Sequence, residues 1–276
     1  MKIALLQMCS GIDTEANAGI LLSAISEAAR NGATMLFAPE MSGQLDRDRD
    51  RARARMASEA DSPIVKEVCF AAKKHGIWIH IGSLPFIGER KDGRLVNRSL
   101  VIDNYGLIKA RYDKIHLFDV DLATGETWRE SATYGAGENV VAVQTPIGLL
   151  GLTICYDIRF STLFTSLSNS GATIIAVPSA FTVPTGEAHW HTLLRARAIE
   201  SSVFVIAAAQ CGGHEDGRQT YGHSLVVDPW GTVILDMEKK LALGFVDIDL
   251  DQIAAVRGRI PALSNRRTIS SVANLY

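Results

Sequence analysis

Three segments place a reactive side chain where an apolar run ends: Leu36-Phe37-Ala38-Pro39-Glu40, Tyr112-Asp113-Lys114-Ile115-His116 and Leu152-Thr153-Ile154-Cys155-Tyr156-Asp157. A carboxylate just past a core strand and a proline sits at a sheet edge, partly desolvated, where its basicity rises. A lysine leading into apolar and aromatic residues keeps a localised cation available to a developing oxyanion. A cysteine at a strand-to-helix turn meets unpaired N–H groups and the positive end of the helix dipole, both of which favour thiolate. Each residue also has an ordinary reading. Glu40 fits a solvent-facing turn, Lys114 a surface pair with Asp113, and Cys155 an inert core thiol. Together they make chemical sense. A free thiol, with a pKa of about 8.5, needs a base or a nearby cation to react at neutral pH. Glu40 would take the proton, and Lys114 would stabilise both thiolate and tetrahedral oxyanion.

The elements that must position these groups alternate along the chain without a linker or low-complexity stretch. Lys2–Met8 reads as a core strand. Ala16–Ala29 has helical spacing and a stop at Gly32, and Ile64–Lys74 is a second helix closed by Gly76. Ile77–Ser83 is a strand, and Asn97–Asp103 with Leu107–Tyr112 flanks a hairpin turn. Val140–Thr145 and Leu149–Ile154 form another pair, and a helix is expected after Cys155. Thr173–Val177, Val203–Ala209, Ser224–Val227 and Thr232–Leu235 are strands, with a helix over His189–Glu200. Apolar strands mixed with helices and hairpins argue for a layered α/β fold with mixed sheets.

Composition removes several function classes. Hydrophobic residues make up 47% and charged residues 21%, enough for a sizeable core and unlike a disordered chain. Lys plus Arg total 28 against 30 Asp plus Glu, so no global basic field exists to hold nucleic acid or an anionic membrane. Arg47–Arg55 alternates with Asp48 and Asp50 and reads as a solvated face. No apolar run approaches the about 20 residues needed to span a bilayer, and the N-terminus reads as a strand rather than a secretory signal. The four cysteines lack CxxC spacing, which argues against a disulfide scaffold and for a cytoplasmic protein. No GxGxxG or P-loop follows a strand. His189 and His191 have no clustered Cys or carboxylate partner in the sequence, so neither a metal nor another cofactor is expected.

The order Glu, Lys, Cys in these three settings resembles the nitrilase superfamily of carbon–nitrogen hydrolases, and the resemblance covers essentially the whole chain. Ala207-Ala208-Ala209-Gln210-Cys211-Gly212, Tyr221-Gly222-His223-Ser224, Val227-Asp228-Pro229-Trp230-Gly231 and Arg259-Ile260-Pro261-Ala262-Leu263 are similar to the amidase branch of deaminated glutathione amidase and ω-amidase, closer to the former. The resemblance implies one carbon–nitrogen hydrolase domain over residues 1–276, folded as a four-layer αββα sandwich with two mixed β-sheets, that forms a homodimer or higher homo-oligomer. It implies Glu40 as general base, Cys155 as nucleophile and Lys114 as oxyanion stabiliser. A second glutamate matches Glu130, with Glu126 as the nearby competitor, and the Tyr156 N–H joins Lys114 in the oxyanion hole.

The implied activity is hydrolysis of a small carboxylate-bearing carboxamide to acid and ammonia through a cysteine thioester. An ω-amidase acting on 2-oxoglutaramate-type amides, a nitrilase and an N-carbamoyl amino acid hydrolase are the enzymatic alternatives; a silent dimeric scaffold is the non-enzymatic one. A substrate carboxylate needs a cation. Arg159, Arg195 and Arg197 are candidates, the last two on different helix faces by their i, i+2 spacing. Phe181, Trp190 and the Cys211–Arg218 loop are candidate pocket walls. Two departures from the family bear on substrate choice: Ser161-Thr162-Leu163 replaces the common Pro-Glu-Leu, and His191 replaces a common Glu.

Overall fold

The computed structural model describes residues 1–268 apart from 89, 122–124 and 126. Its first sheet holds β1 (Lys2–Gln7), β2 (Met35–Phe37), β3 (Trp78–His80), β4 (Leu84–Phe86), β5 (Val96–Ile102), β6 (Ile108–Asp113) and the distant β17 (Ala242–Asp247). β1, β2 and β3 run parallel; the other pairings are antiparallel. The second sheet holds β9 (Ala142–Thr145), β10 (Gly148–Leu152), β11 (Ile174–Ala176), β12 (Phe204–Ala207), β15 (Leu225–Val227) and β16 (Val233–Asp236), with β10, β11 and β12 parallel. Two short hairpins, β7 (Asp119–Asp121) with β8 (Thr127–Arg129) and β13 (Cys211–Gly213) with β14 (Gln219–Tyr221), stand apart from both sheets.

Strand alternation builds the layers. In β1, Ile3 and Leu5 face the second sheet, while Ala4 and Leu6 pack with α1 (Thr14–Arg30) and α3 (Pro63–His75). β11, β12 and the last three residues of β10 are buried, as parallel strands covered on both faces must be. Their other side carries α4 (Ser161–Asn169) and α5 (Val183–Ser201), which bury Leu163, Phe164, Leu167, Trp190 and Leu194. The order is helix, sheet, sheet, helix, and both sheets are mixed. Fully burying one such Leu or Phe contributes about 1.5–3 kcal/mol.

Local signals set the helix ends. Asp13 accepts the Glu15 and Ala16 N–H groups to cap α1, Ser62 caps α3, and Gly76 ends α3 at a left-handed φ of 65°. Two elements differ from expectation. α5 starts at Val183, earlier than His189, because Pro184 opens its first turn. Cys155–Arg159 forms a 3-10 turn, and the α-helix begins only at Ser161. A short helix α2 (Arg49–Ala54) and a final α6 (Asp251–Arg259) complete the described chain.

Candidate active site

Four polar side chains meet at the carboxyl ends of the strands. Glu40 follows β2, Lys114 follows β6, Cys155 follows β10, and Glu130 follows β8. Three are almost fully buried, at 5% exposure for Glu40, 2% for Lys114 and 7% for Cys155. The Lys114 ammonium lies 2.9 Å from Glu40 Oε1 and 2.9 and 3.1 Å from the two Glu130 oxygens. Asp113, its neighbour in sequence, turns instead to Arg98 at 2.6 Å. Burial alone would lower the lysine, but the charges of Glu130 and Glu40 outweigh it and hold Lys114 well above its ordinary value. It is a permanent cation between two carboxylates.

Each carboxylate is fixed from further sides. Glu40 Oε2 accepts the Ala180 N–H at 3.0 Å, and Oε1 accepts Asn97 Nδ2 at 3.0 Å. Asn97 also reaches Glu130 Oε1 at 3.3 Å, while the Phe118 N–H donates to Glu130 Oε2 at 2.7 Å. Gly82, at φ 80°, leaves room for the backbone that carries Glu40, since a side chain there would strike the Pro39 carbonyl. Asn97 lies buried on β5, where a strand pattern hides its contact with both acids.

Cys155 itself occupies the left-handed region at φ 50°. A non-glycine residue there costs on the order of 1–3 kcal/mol and persists only when its surroundings enforce it. Asp157 supplies that enforcement. Fully buried, it accepts the Ile154 N–H at 2.8 Å, the Tyr112 hydroxyl at 2.7 Å, and the His116 N–H and Nδ1 at 3.0 and 2.7 Å. The Cys155 N–H goes to the Pro178 carbonyl at 2.9 Å.

The thiol therefore stands on a braced 3-10 turn, which corrects the expectation of a helix dipole acting on it. Burial, reinforced by the Glu40 charge and hydrogen bond, raises the thiol well above its ordinary value; Lys114 offsets this only in part. Cys155 rests as a neutral thiol beside a carboxylate.

The thiol and its partners open into a cavity of about 980 Å³. Arg159, Phe181, Trp128, Arg47, Arg49 and Arg218 are among its walls. The arginine-rich stretch is thus more than a solvated face: Arg51 pairs with Asp46, whose side chain is buried in the cavity wall, Arg47 stacks over Trp128 at 4.7 Å, and Arg218 lies 5.5 Å from the same ring. Arg159 lies against the Tyr156 and Phe181 rings at 5.7 and 5.6 Å.

Residues 2–258 match the sequence profile of the carbon–nitrogen hydrolase family. A deaminated glutathione amidase from Yersinia enterocolitica is 41% identical over 272 residues, covering 98% of this chain and 94% of that protein. The chain belongs to the carbon–nitrogen hydrolases of the nitrilase superfamily. The solved NitFhit protein of C. elegans superposes with a TM-score of 0.89 at 39% identity, covering 96% of this chain and 65% of that one. An amidase from Nesterenkonia sp. AN1, solved after Michael addition of acrylamide at its active-site cysteine, superposes with a TM-score of 0.78 at 25% identity over 95% of this chain and 98% of that one.

Several expected pocket residues of this hydrolase stand elsewhere. Trp190 is buried behind the wall, its ring 4.7 Å from Phe181 and its Nε1 donating to the His223 carbonyl, because its face of α5 packs onto the sheet. Arg195 donates to the Gly231 carbonyl, and Arg197 is buried between the Ile158 carbonyl and Glu200. Both are structural. Glu126 lies outside the described residues. No described helix is long and apolar enough to cross a membrane.

Proposed function

We propose that Cys155 attacks an amide carbonyl carbon while its proton passes to Glu40. The developing oxyanion is held by Lys114 and by the Tyr156 N–H, one of the first donors of a 3-10 turn, which have no partner within their own turn. Collapse breaks the C–N bond, and the amine leaves with the proton from Glu40, giving a thioester. Water then attacks the thioester carbon and gives its proton to Glu40, with Glu130 orienting it and holding Lys114. The second tetrahedral species expels the Cys155 sulfur, which regains a proton as the acid departs. The single observation that carries this reading is the shared contact of Lys114 with Glu40 and Glu130 beside the buried Cys155 thiol. A silent scaffold has no use for it.

The substrate we infer is an amide with carboxylates at two ends, of the deaminated glutathione type. In such a compound the amine leaving group is cysteinylglycine, and ammonia is released only from a primary amide. The cavity is large enough for a peptide-sized ligand. Its cations include Arg159 against Phe181 and Arg47 with Arg218 against Trp128, Arg218 also pairing with Asp216 at 2.6 Å. Among the described residues Arg159 has no carboxylate partner; its polar contact is His189 at 3.4 Å.

A short ω-amide such as 2-oxoglutaramate needs one cation. Arg159→Gln is therefore expected to raise KM for both amides by about 10–100-fold, the worth of one charged hydrogen bond. Arg218→Gln is expected to impair deaminated glutathione turnover selectively. Equal losses on both amides for Arg218→Gln, measured as kcat/KM, would favour the ω-amidase reading.

We also infer a cytoplasmic homodimer. The four cysteines are free, as in a reducing compartment. Ile199 on α5 and Trp230 on the adjoining turn are 50% and 53% exposed, an apolar patch suited to a second copy. Sedimentation should give twice the chain mass; a monomer at micromolar concentration would remove this proposal.

A further inference from the structure

Outside the catalytic cavity, the fold assembles a second constellation. His191 from α5, His223 from the turn before β15 and Asp236 at the end of β16 bring three ligand atoms within 4.8 Å of one another. His191 Nε2 lies 3.1 Å from Asp236 Oδ2, and His223 Nδ1 lies 3.0 and 3.1 Å from the two Asp236 oxygens. His189, two residues earlier on α5, turns away to Arg159. The carboxylate that the sequence lacks beside His191 arrives from 45 residues further along.

The ligands are held before any ion arrives. The His223 ring stacks on Tyr221 at 4.4 Å, and His191 meets both rings edge-on. His223 is fixed at a left-handed φ of 54°, with its N–H donating to the Glu238 carbonyl and its carbonyl accepting Trp190 Nε1. The Glu238 N–H orients Asp236 through Oδ1 at 2.8 Å. Side-chain exposures of 36%, 18% and 29% for His191, His223 and Asp236 leave a face open for entry and for water.

We propose that His191, His223 and Asp236 form a binding site for one divalent cation of the borderline class, Zn2+ in the first instance. Two imidazole nitrogens and one carboxylate oxygen suit such ions and suit Mg2+ or Ca2+ poorly. A tetrahedral ion with bonds of about 2.0–2.1 Å sets its ligand atoms roughly 3.3 Å apart, so the His–Asp contacts of 3.0–3.1 Å need open only slightly, while the two imidazole nitrogens, which stand within 4.8 Å, close on the ion. Water would complete the coordination. The bound ion would clamp α5 to the edge of the second sheet, behind Trp190 and Phe181, and take no part in the thiol chemistry.

The test is calorimetric titration of the chelator-treated full chain with Zn2+ in a non-coordinating buffer. One equivalent should bind, survive in Cys155→Ala and in His75→Gln, and weaken by at least about tenfold in His191→Gln and in Asp236→Asn. Circular dichroism checks that the variants fold. Cobalt(II) loaded on the wild type gives a readout independent of substitution: d–d bands of a nitrogen–oxygen site without a thiolate charge-transfer band. Absence of binding, equal isotherms for wild type and both ligand variants, or a cobalt spectrum carrying the thiolate band would overturn the proposal and leave a hydrogen-bonded His–Asp–His network.

Discussion

Cys155→Ala is expected to lower kcat by on the order of 10^5–10^6, the scale on which losing an enzyme nucleophile acts. Substrate affinity should stay near the wild-type value, because Arg159 and the Trp128 side of the cavity remain. The residual rate reflects the oxyanion donors and binding alone. Conversion to alanine removes a buried neutral thiol and no charge, so folding changes little. Initial-rate measurements on the amide, with binding followed separately, read both quantities. A variant with wild-type turnover would end the nucleophile assignment.

Lys114→Met is expected to strike both rate and stability. Loss of one oxyanion donor costs on the order of 10^2–10^3 in kcat. Removing one partner of a buried charge set costs about 3–5 kcal/mol in folding. In the wild type the folded lysine lies above its unfolded value. Its contribution is therefore fully present below the unfolded value of about 10.4 and is lost as pH rises through the folded one. In the variant, Glu40 and Glu130 face each other without a counter-charge, and protonating one of them relieves the repulsion. The urea midpoints of wild type and variant should lie closest in mild acid and diverge towards neutral pH. A constant gap would contradict the assignment of Lys114 as the neutralising charge.

The legibility of this site followed the chemistry of strand ends. Glu40, Lys114 and Cys155 each close an apolar run, so local pattern alone marked them, and the layered fold brings those ends together. Glu130 follows a short exposed hairpin, and only the family resemblance singled it out. Asn97 and Asp157 escaped because a buried polar residue on a strand or turn looks like any other until its partners arrive; those of Asp157 come from Tyr112 and His116.

The expected helix dipole failed for a related reason. Spacing at Leu163 and Leu167 locates α4 but cannot say that the chain first turns through a 3-10 segment with Cys155 left-handed. Trp190 and Phe181 are both aromatic near one helix, yet one backs the other. Arg47 looked solvated because its ring partner, Trp128, lies far along the chain. Long-range pairing decided each case, and periodicity carries no record of it.

Intact-protein mass spectrometry after rapid acid quenching tests the thioester most directly. Mixed with the amide, the protein should gain the mass of the acyl group alone, and digestion should locate it on the peptide containing Cys155. An acyl group on Cys9, Cys69 or Cys211, or undiminished turnover with Cys155 blocked, would contradict covalent catalysis at this site.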